Sequence, residues 1–189
     1  MVTLSIIDSE GLGSTSTANL TVLEQHDVAI VNVTISASKL FVKESANIYV
    51  VVLNNGSETE TFDVTAFYND TLIKTQTVTL ASGANASLTF LWDTTNVSPG
   101  NYQIKAVAAT VPGETDIADN TKIGGVVTVR IPDVNGDGKV DIRELAALGR
   151  AWGAKTGDAN YDIRVDFNED GVIDGSDLGL LALNWGYGG

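Results

Sequence analysis

The chain has 189 residues, 43% of them hydrophobic and 19% charged, which is enough apolar material for one large or two small folded domains. Its 24 acidic and 11 basic residues give a net charge of −13, which disfavours nucleic-acid partners because their phosphates would be repelled. The sequence has no cysteine and one histidine, which excludes disulfides and thiol catalysis and argues against zinc and histidine-triad chemistry.

Residues 1–24 predict a β-hairpin. Strand-like segments at 2–7 and 16–22 flank a polar turn at residues 8–11. The two strands resemble the last two strands of a PKD domain, an Ig-like surface module. An isolated hairpin is only marginally stable in water. We therefore expect either a fragment of a longer protein, cut inside a module, or a hairpin that adds its strands to a neighbouring domain or chain.

Residues 27–130 predict an all-β, Ig-like sandwich. Short strands with alternating apolar residues are separated by turn signals such as Asn54-Asn55-Gly56. The predicted strands are 28–35, 46–53, 61–68, 72–80, 84–92, 101–110 and 125–131. In the fifth of them, Leu88, Phe90 and Trp92 are expected to point into the core. Seven short strands in roughly 100 residues are typical of an Ig-like sandwich.

Two runs in this segment resemble CARDB, a cell-adhesion-related domain of prokaryotic surface proteins. They are VVLNNGSETETFDVTAFYND at residues 51–70 and GETDIADNT at residues 113–121, the latter followed by a valine-rich strand. The resemblance covers about residues 27–130 and implies an Ig-like surface module. The second run also contains Glu114, Asp116, Asp119 and Asn120, for which we weigh a third calcium site against turn capping and favour capping.

The C-terminal segment contains an acidic repeat with an offset of 33 residues, at 133–144 and 166–177. Each copy has the pattern of a calcium loop, with oxygen donors at positions 1, 3 and 5 and glycine at position 6. The predicted ligands at positions 1, 3, 5, 7, 9 and 12 are Asp133, Asn135, Asp137, Lys139 (main-chain oxygen), Asp141 and Glu144, and Asp166, Asn168, Asp170, Val172 (main-chain oxygen), Asp174 and Asp177. This pattern predicts two Ca²⁺ ions, with Val140 and Ile173 pairing as a β-bridge between the loops.

A short amphipathic helix is predicted after each loop, at 144–152 and 177–185. Residues spaced i, i+3 and i+7 form the expected core faces, which are Leu145, Leu148 and Trp152, and Leu178, Leu181 and Trp185. Leu180 and Leu183 lie off this face, and their repeat equivalents are Ala147 and Arg150. These four residues are the predicted partner-binding surface, and packing against the sandwich is the equally weighted alternative.

Two loop–helix repeats of this kind resemble a type I dockerin over about residues 132–187. The resemblance implies that the calcium-loaded repeats bind a cohesin module and tether the protein to a scaffold or surface. Loop positions 10 and 11 are Ile142-Arg143 and Gly175-Ser176, whereas well-studied dockerins have a Ser/Thr pair there. This departure argues against the standard cellulosomal cohesins. Dockerin ends often clasp, which predicts a contact between residues 131–132 and 185–187.

The sequence thus predicts three units, a hairpin at 1–24, a CARDB-type sandwich at 27–130 and a dockerin-like α-helical module at 132–189. We expect a non-catalytic, extracellular or cell-surface attachment protein that binds a cohesin-like partner. No apolar run approaches the roughly 18 residues of a membrane-spanning helix. One alternative is a structural subunit that self-associates by strand addition. Another is a carbohydrate-binding accessory module that uses Phe67, Trp92 and Tyr102, although strand alternation favours the core for these aromatic residues.

Overall fold

The computed structural model describes the backbone of strands 2–7 and 13–18 and all of residues 24–189. The first two strands, β1 (Val2–Ile7) and β2 (Gly13–Ala18), pair antiparallel with Val2 opposite Ala18. The predicted hairpin is therefore present, with its second strand starting three residues earlier than predicted. The predicted turn at 8–11 and the end of the predicted second strand at 19–22 lie outside the described residues.

Eight strands form the sandwich, in two sheets that pack face to face. They are β3 (Val28–Ile35), β4 (Lys39–Phe41), β5 (Ser45–Asn54), β6 (Glu60–Tyr68), β7 (Thr71–Leu80), β8 (Asn85–Asp93), β9 (Gly100–Ala108) and β10 (Thr121–Arg130). One sheet has the order β4-β10-β9-β6-β7, and the other has the order β3-β5-β8. The predicted fold class is confirmed. The sequence pattern missed the three-residue strand β4, which is held by parallel pairing with the end of β10.

The core of the sandwich consists of the alternating residues of both sheets. Phe90, Trp92 and Ile104 are almost completely buried, and Leu88 packs against them, as the alternation predicts. The Trp92 ring stacks on Tyr68 with ring centroids 5.1 Å apart, and Tyr102 meets both rings edge-on. Of the three aromatic residues considered for a sugar platform, Trp92 is in the core and Tyr102 packs against it. The core prediction is wrong for Phe67, which is half-buried outside the core with the Lys105 ammonium 5.3 Å from its ring centroid.

Two helices follow the sandwich, α1 (Ile142–Ala151) and α2 (Gly175–Leu183). Each starts two residues earlier than predicted because the aspartate at loop position 9, Asp141 or Asp174, is its N-cap. In both helices the position-12 acid completes a capping box with that aspartate. The small core between the helices and loops contains Val140, Leu148, Val165, Phe167, Ile173 and Leu181.

Two sequence predictions about this module are wrong. Trp152 and Trp185 are not core residues, since they are 50% and 49% exposed. Both lie beyond the last helical residue, so the i+7 spacing does not hold them on the buried face. The predicted bridge between Val140 and Ile173 is also absent from the described residues.

Each loop instead pairs with the segment that follows the opposite helix. Val140 exchanges main-chain hydrogen bonds with Gly186 and Tyr187, and Ile173 exchanges them with Gly153 and Ala154. This arrangement relates the two repeats by a local pseudo-twofold symmetry. Tyr187 and Ile131 both pack against the sandwich core and the helical core. The clasp, a direct contact between residues 131–132 and 185–187, stays a prediction.

The sandwich and the helical module share a contact built around Arg130. Its guanidinium lies 4.5 Å from the ring centroid of Phe41 and donates a 2.8 Å hydrogen bond to the carbonyl of Phe167. The Phe41 and Phe167 rings meet edge-on with centroids 5.9 Å apart. Glu169 accepts hydrogen bonds from Lys39 at 2.7 Å and lies 3.2 Å from Arg130. None of the described helices is long and apolar enough to cross a membrane.

Candidate functional site

The two acidic loops share one backbone geometry. Positions 4 and 6 of each loop have positive φ, with values of 77° and 79° at Gly136 and Gly138 and 60° and 85° at Glu169 and Gly171. Glycine adopts this left-handed conformation without a steric cost, which accounts for three of the four residues. Glu169 is the exception, and its side chain is held by Lys39 and Arg130 of the sandwich. The hydrogen bond from Lys39 lowers the pKa of Glu169; burial opposes this shift and Arg130 adds to it.

The side chains at positions 1, 3 and 5 turn into the loops, where they accept hydrogen bonds from main-chain N–H groups. Asp133 accepts from Gly136 at 2.7 Å and from Gly138 at 2.8 Å, and Asp166 accepts from Asp170 at 3.1 Å and Gly171 at 2.9 Å. The Asn135 amide oxygen accepts from Asp137 at 2.8 Å. These hydrogen bonds hold each loop folded around the side-chain oxygens of its own residues.

The acids at position 12 are completely buried, but they differ in their partners. Glu144 Oε2 accepts a 2.9 Å hydrogen bond from the main-chain N–H of Asp141, whereas Oε1 is buried with no partner among the described residues. Asp177 accepts main-chain hydrogen bonds on both oxygens, from Phe167 at 2.7 Å and from Asp174 at 2.9 Å. A buried carboxylate oxygen without a donor is costly unless a cation satisfies it.

Two further side chains bind the loop carboxylates and were not predicted as site residues. The Arg143 guanidinium donates a 2.5 Å hydrogen bond to Asp137, and the Tyr161 hydroxyl donates a 2.5 Å hydrogen bond to Asp166. The bond to Asp166 raises the pKa of Tyr161. Tyr161 lies between the two copies of the repeat, so a comparison of the copies could not identify it as a residue that binds a loop carboxylate.

The donor set fits a hard cation. Each loop offers carboxylate, amide and main-chain oxygens, with no sulfur or imidazole, which is the set that Ca²⁺ prefers. In residues 24–189, no group of three or more His, Cys, Asp or Glu side chains converges in a geometry that could hold a metal. Any metal here therefore needs the amide and main-chain oxygens as well as the carboxylates, and the unpartnered Glu144 oxygen is the observation that supports a cation.

Comparison with known families identifies both parts of the chain. The CARDB family model matches residues 17–121, which is more than half of the sequence. The chain belongs to the CARDB family. A second model, the dockerin type I domain, matches residues 131–183. Both predicted resemblances are thereby confirmed. CARDB and dockerin domains are non-catalytic modules typical of extracellular and cell-surface proteins, and type I dockerins bind calcium.

Individual relatives of this CARDB chain are distant. The long isoform of an ulvan lyase from Glaciecola sp. (strain KUL10) is 27% identical over 148 residues, which is 74% of this chain but only 13% of that enzyme. The CARDB domain of a Pyrococcus furiosus protein, in complex with di-metal ions, is 29% identical and has a TM-score of 0.47, covering 58% of this chain and 97% of its own. A putative cell surface protein domain from Methanosarcina acetivorans is 18% identical with a TM-score of 0.44, covering 56% and 93%.

The four predicted partner-binding residues of the dockerin module do not share one exposed surface. Arg150 and Leu183 are exposed, but Ala147 and Leu180 are half-buried against the small core. Leu180 lies beside Phe41 and Lys39 in a crevice next to the CARDB sandwich. Leu180 therefore faces the sandwich, in agreement with the equally weighted alternative of the sequence analysis.

A different apolar surface of the dockerin module is exposed. Leu145, Leu178, Leu181, Ala182 and Trp185 line a shallow depression on the helices, where Trp185 is 49% and Leu178 is 37% exposed. We refer to these five residues as the helix depression. The sequence analysis assigned Leu145, Leu178, Leu181 and Trp185 to the core. This is confirmed for Leu181, which is 1% exposed, and wrong for Leu178 and Trp185, so the depression was missed as a surface. The only sequence signal for this exposed surface was that the helices are short, so that a residue at i+7 can fall beyond the helix end.

Proposed function

We propose that the chain is a non-catalytic, extracellular attachment module that binds two Ca²⁺ ions and docks on a cohesin-type partner, tethering its parent protein to a scaffold or cell surface. We propose the unit boundaries 1–24, 27–130 and 132–189 for the hairpin, the CARDB sandwich and the dockerin module. The duplicated loop carries the proposal, because both copies have the same left-handed backbone at positions 4 and 6 and both end in a fully buried acid.

The proposed calcium ligands are the oxygens predicted from the repeat. The first loop would use Asp133, Asn135, Asp137, the Lys139 carbonyl, Asp141 and Glu144, and the second would use Asp166, Asn168, Asp170, the Val172 carbonyl, Asp174 and Asp177. Asp141 and Asp174 already cap the helices through one oxygen each. We therefore expect them to act through water, as position 9 of such loops often does.

The helix depression is the proposed docking surface for the cohesin-type partner. It is apolar and exposed, and half-exposed Trp185 at its edge is the residue type that most often dominates binding energy. Leu183 and Arg150 extend the exposed surface, whereas Leu180 serves the contact with the sandwich. This choice of residues replaces the surface proposed from the sequence.

One experiment tests attachment. The chain, stripped of metal with a chelator, is titrated with Ca²⁺ in a calorimeter and then passed over immobilised type I cohesin modules with and without Ca²⁺. We expect calcium-dependent binding that Trp185→Ala weakens by about tenfold or more. Leu91→Ala is the matched control, since Leu91 is an exposed apolar residue on the sandwich. Absence of calcium binding, or equal binding by both variants, would contradict the proposal.

Self-association is the second candidate, and the hairpin supports it. Among the strands that the structure describes, β1 and β2 form a two-stranded sheet of their own and do not pair with either sheet of the sandwich. Unpaired strand edges are templates for pairing with another chain. Light scattering in the same titration separates the two functions, because a polymerising subunit would form large particles in Ca²⁺ whereas an attachment module would remain small.

A further inference from the structure

A third oxygen cluster lies in the CARDB sandwich, between the start of β3 and the loop at residues 111–120. Glu114 holds this region together. Its Oε1 accepts a 2.8 Å hydrogen bond from the Val28 N–H, and its Oε2 accepts from the Val111 N–H at 2.9 Å and from the Asn120 amide at 3.0 Å. Glu114 therefore has the capping role that the sequence analysis favoured. Asp116 is exposed and accepts a hydrogen bond from the N–H of Ala118.

Three other oxygens of this cluster are buried and have no hydrogen-bond partner among the described residues. They are Asp27 Oδ1, Asp119 Oδ1 and Asn120 Oδ1. Asp27 and Asn120 are only 5% and 4% exposed. Three orphaned oxygens in one region are unusual, because the large majority of buried polar atoms find a partner.

Main-chain hydrogen bonds fix these side chains close to one another. The Ile30 N–H donates to the Asp119 carbonyl at 2.9 Å, which sets Asp119 beside the first residues of β3. The Asn120 amide is held by Glu114, which is itself bound to Val28, the neighbour of Asp27. The second oxygen of Asp27 accepts a 2.8 Å hydrogen bond from the Asn55 amide. Hydrogen bonds thus hold each of these three residues in place, while one side-chain oxygen of each has no hydrogen-bond partner among the described residues.

The negative charge of the cluster is not balanced by a protein cation. In residues 24–189, no lysine, arginine or histidine nitrogen forms a salt bridge with Asp27, Asp119 or Glu114. Buried carboxylates in such a position need a bound cation or a proton.

We propose that Asp27, Asp119 and Asn120 form a third Ca²⁺ site, separate from the two dockerin loops. Two carboxylates and an amide oxygen form a hard donor set, and water can complete the six to eight ligands that Ca²⁺ takes. The set contains no imidazole or thiolate, so zinc is disfavoured. The sequence placed Glu114, Asp116, Asp119 and Asn120 together, but both oxygens of Glu114 are occupied and the fold brings in Asp27 from 92 residues before Asp119.

A cation bound by Asp27, Asp119 and Asn120 would link the start of β3 to the loop that precedes β10. Residues 27–30 are the first of the sandwich after the hairpin, and residues 119–120 lead directly into β10. A bound cation would therefore stabilise the edge of the sandwich at which the chain enters it.

The number of Ca²⁺ ions bound by the full chain tests the site. After chelation and buffer exchange, native mass spectrometry in a Ca²⁺ titration is expected to show three ions for the unmodified chain. The double variant Asp27→Asn/Asp119→Asn is expected to bind two, and the loop variant Asp133→Ala/Asp166→Ala is expected to keep one. Asp116→Asn is the matched control, because it removes an exposed acid from the same loop, and it is expected to bind three. Equal numbers for the unmodified chain and Asp27→Asn/Asp119→Asn would overturn the proposal.

A second measurement does not depend on the folding of any variant. In the unmodified chain, Ca²⁺ is expected to shift the amide NMR signals of Val28, Ile30 and Asn120, and an equal concentration of Mg²⁺ is expected to shift them less. Unshifted signals at saturating Ca²⁺ would overturn the third site. If two ions bind and these three signals do not shift, the proposed function is supported and the third site is contradicted. If one ion binds and only these signals shift, the third site is supported and calcium binding by the dockerin loops is contradicted.

Discussion

A single buried carboxylate oxygen distinguishes the two acidic loops at the residue scale. Glu144 is one methylene longer than its repeat equivalent Asp177, and one of its oxygens remains without a donor in the described structure. Asp177 uses both oxygens to hold the main chain of its own loop. The first loop therefore offers a more available ligand at position 12, although Arg143 occupies its Asp137.

Replacing Glu144 with glutamine tests this assignment. The amide keeps the acceptor that caps α1, since glutamine also completes a capping box, but it removes the charge. We expect Ca²⁺ affinity at the first loop to fall by at least about tenfold, because even residues behind metal ligands cost about 10- to 100-fold when they are changed. Calorimetry measures the change. Glu58→Gln, at an exposed acid of the sandwich, is the control, and unchanged affinity for Glu144→Gln would remove Glu144 from the ligand set.

At the scale of the elements, the main feature is the contact between the sandwich and the dockerin module. The end of β10 supplies Arg130, and β4 supplies Lys39 and Phe41, so that two adjacent strands meet the second acidic loop. Glu169 lies at position 4 of that loop in a left-handed conformation, where it accepts hydrogen bonds from Lys39 and forms a salt bridge with Arg130. The geometry of the second loop is therefore tied to the sandwich, whereas the first loop is tied to the C-terminal residues 186–187.

Arg130→Lys tests the contribution of this contact. Lysine keeps the charge but cannot span the Phe41 ring, the Phe167 carbonyl and Glu169 with one planar group. We expect the melting temperature of the dockerin module to fall by about 4–8 °C in scanning calorimetry, which is the shift that a loss of about 1 kcal/mol causes in a small domain. Arg150→Lys, at an exposed position of α1, is expected to melt like the unmodified chain. Equal melting of both variants would show that the contact adds no stability.

We expect calcium binding and stability to be coupled at the scale of the whole molecule. The sandwich has a large core that excludes water from both sheets, whereas the dockerin module has a small core surrounded by acids. Without a cation, the repulsion among the loop carboxylates opposes folding of the smaller module. The two modules should therefore respond differently to a chelator.

We expect chelation to lower the helical circular dichroism signal and to lower the melting temperature of the dockerin module much more than that of the sandwich. Each occupied site stabilises the folded state by about 4 kcal/mol when free Ca²⁺ is 1,000 times its dissociation constant. Scanning calorimetry with and without chelator measures both transitions. Identical traces would contradict calcium-coupled folding of the loops.

The sequence alone determined those features that depend on local spacing. The repeat at 133–144 and 166–177 specified two loops because ligand positions within a loop are set by a few consecutive residues, and strand alternation specified the sandwich and its buried Trp92. Tertiary structure alone decided which surfaces stay exposed. Trp152 and Trp185 follow the helix ends, Leu180 faces the sandwich, and Val140 pairs with residue 187 instead of Ile173. Each of these depends on contacts between residues far apart in the chain, and local periodicity carries no information about such contacts.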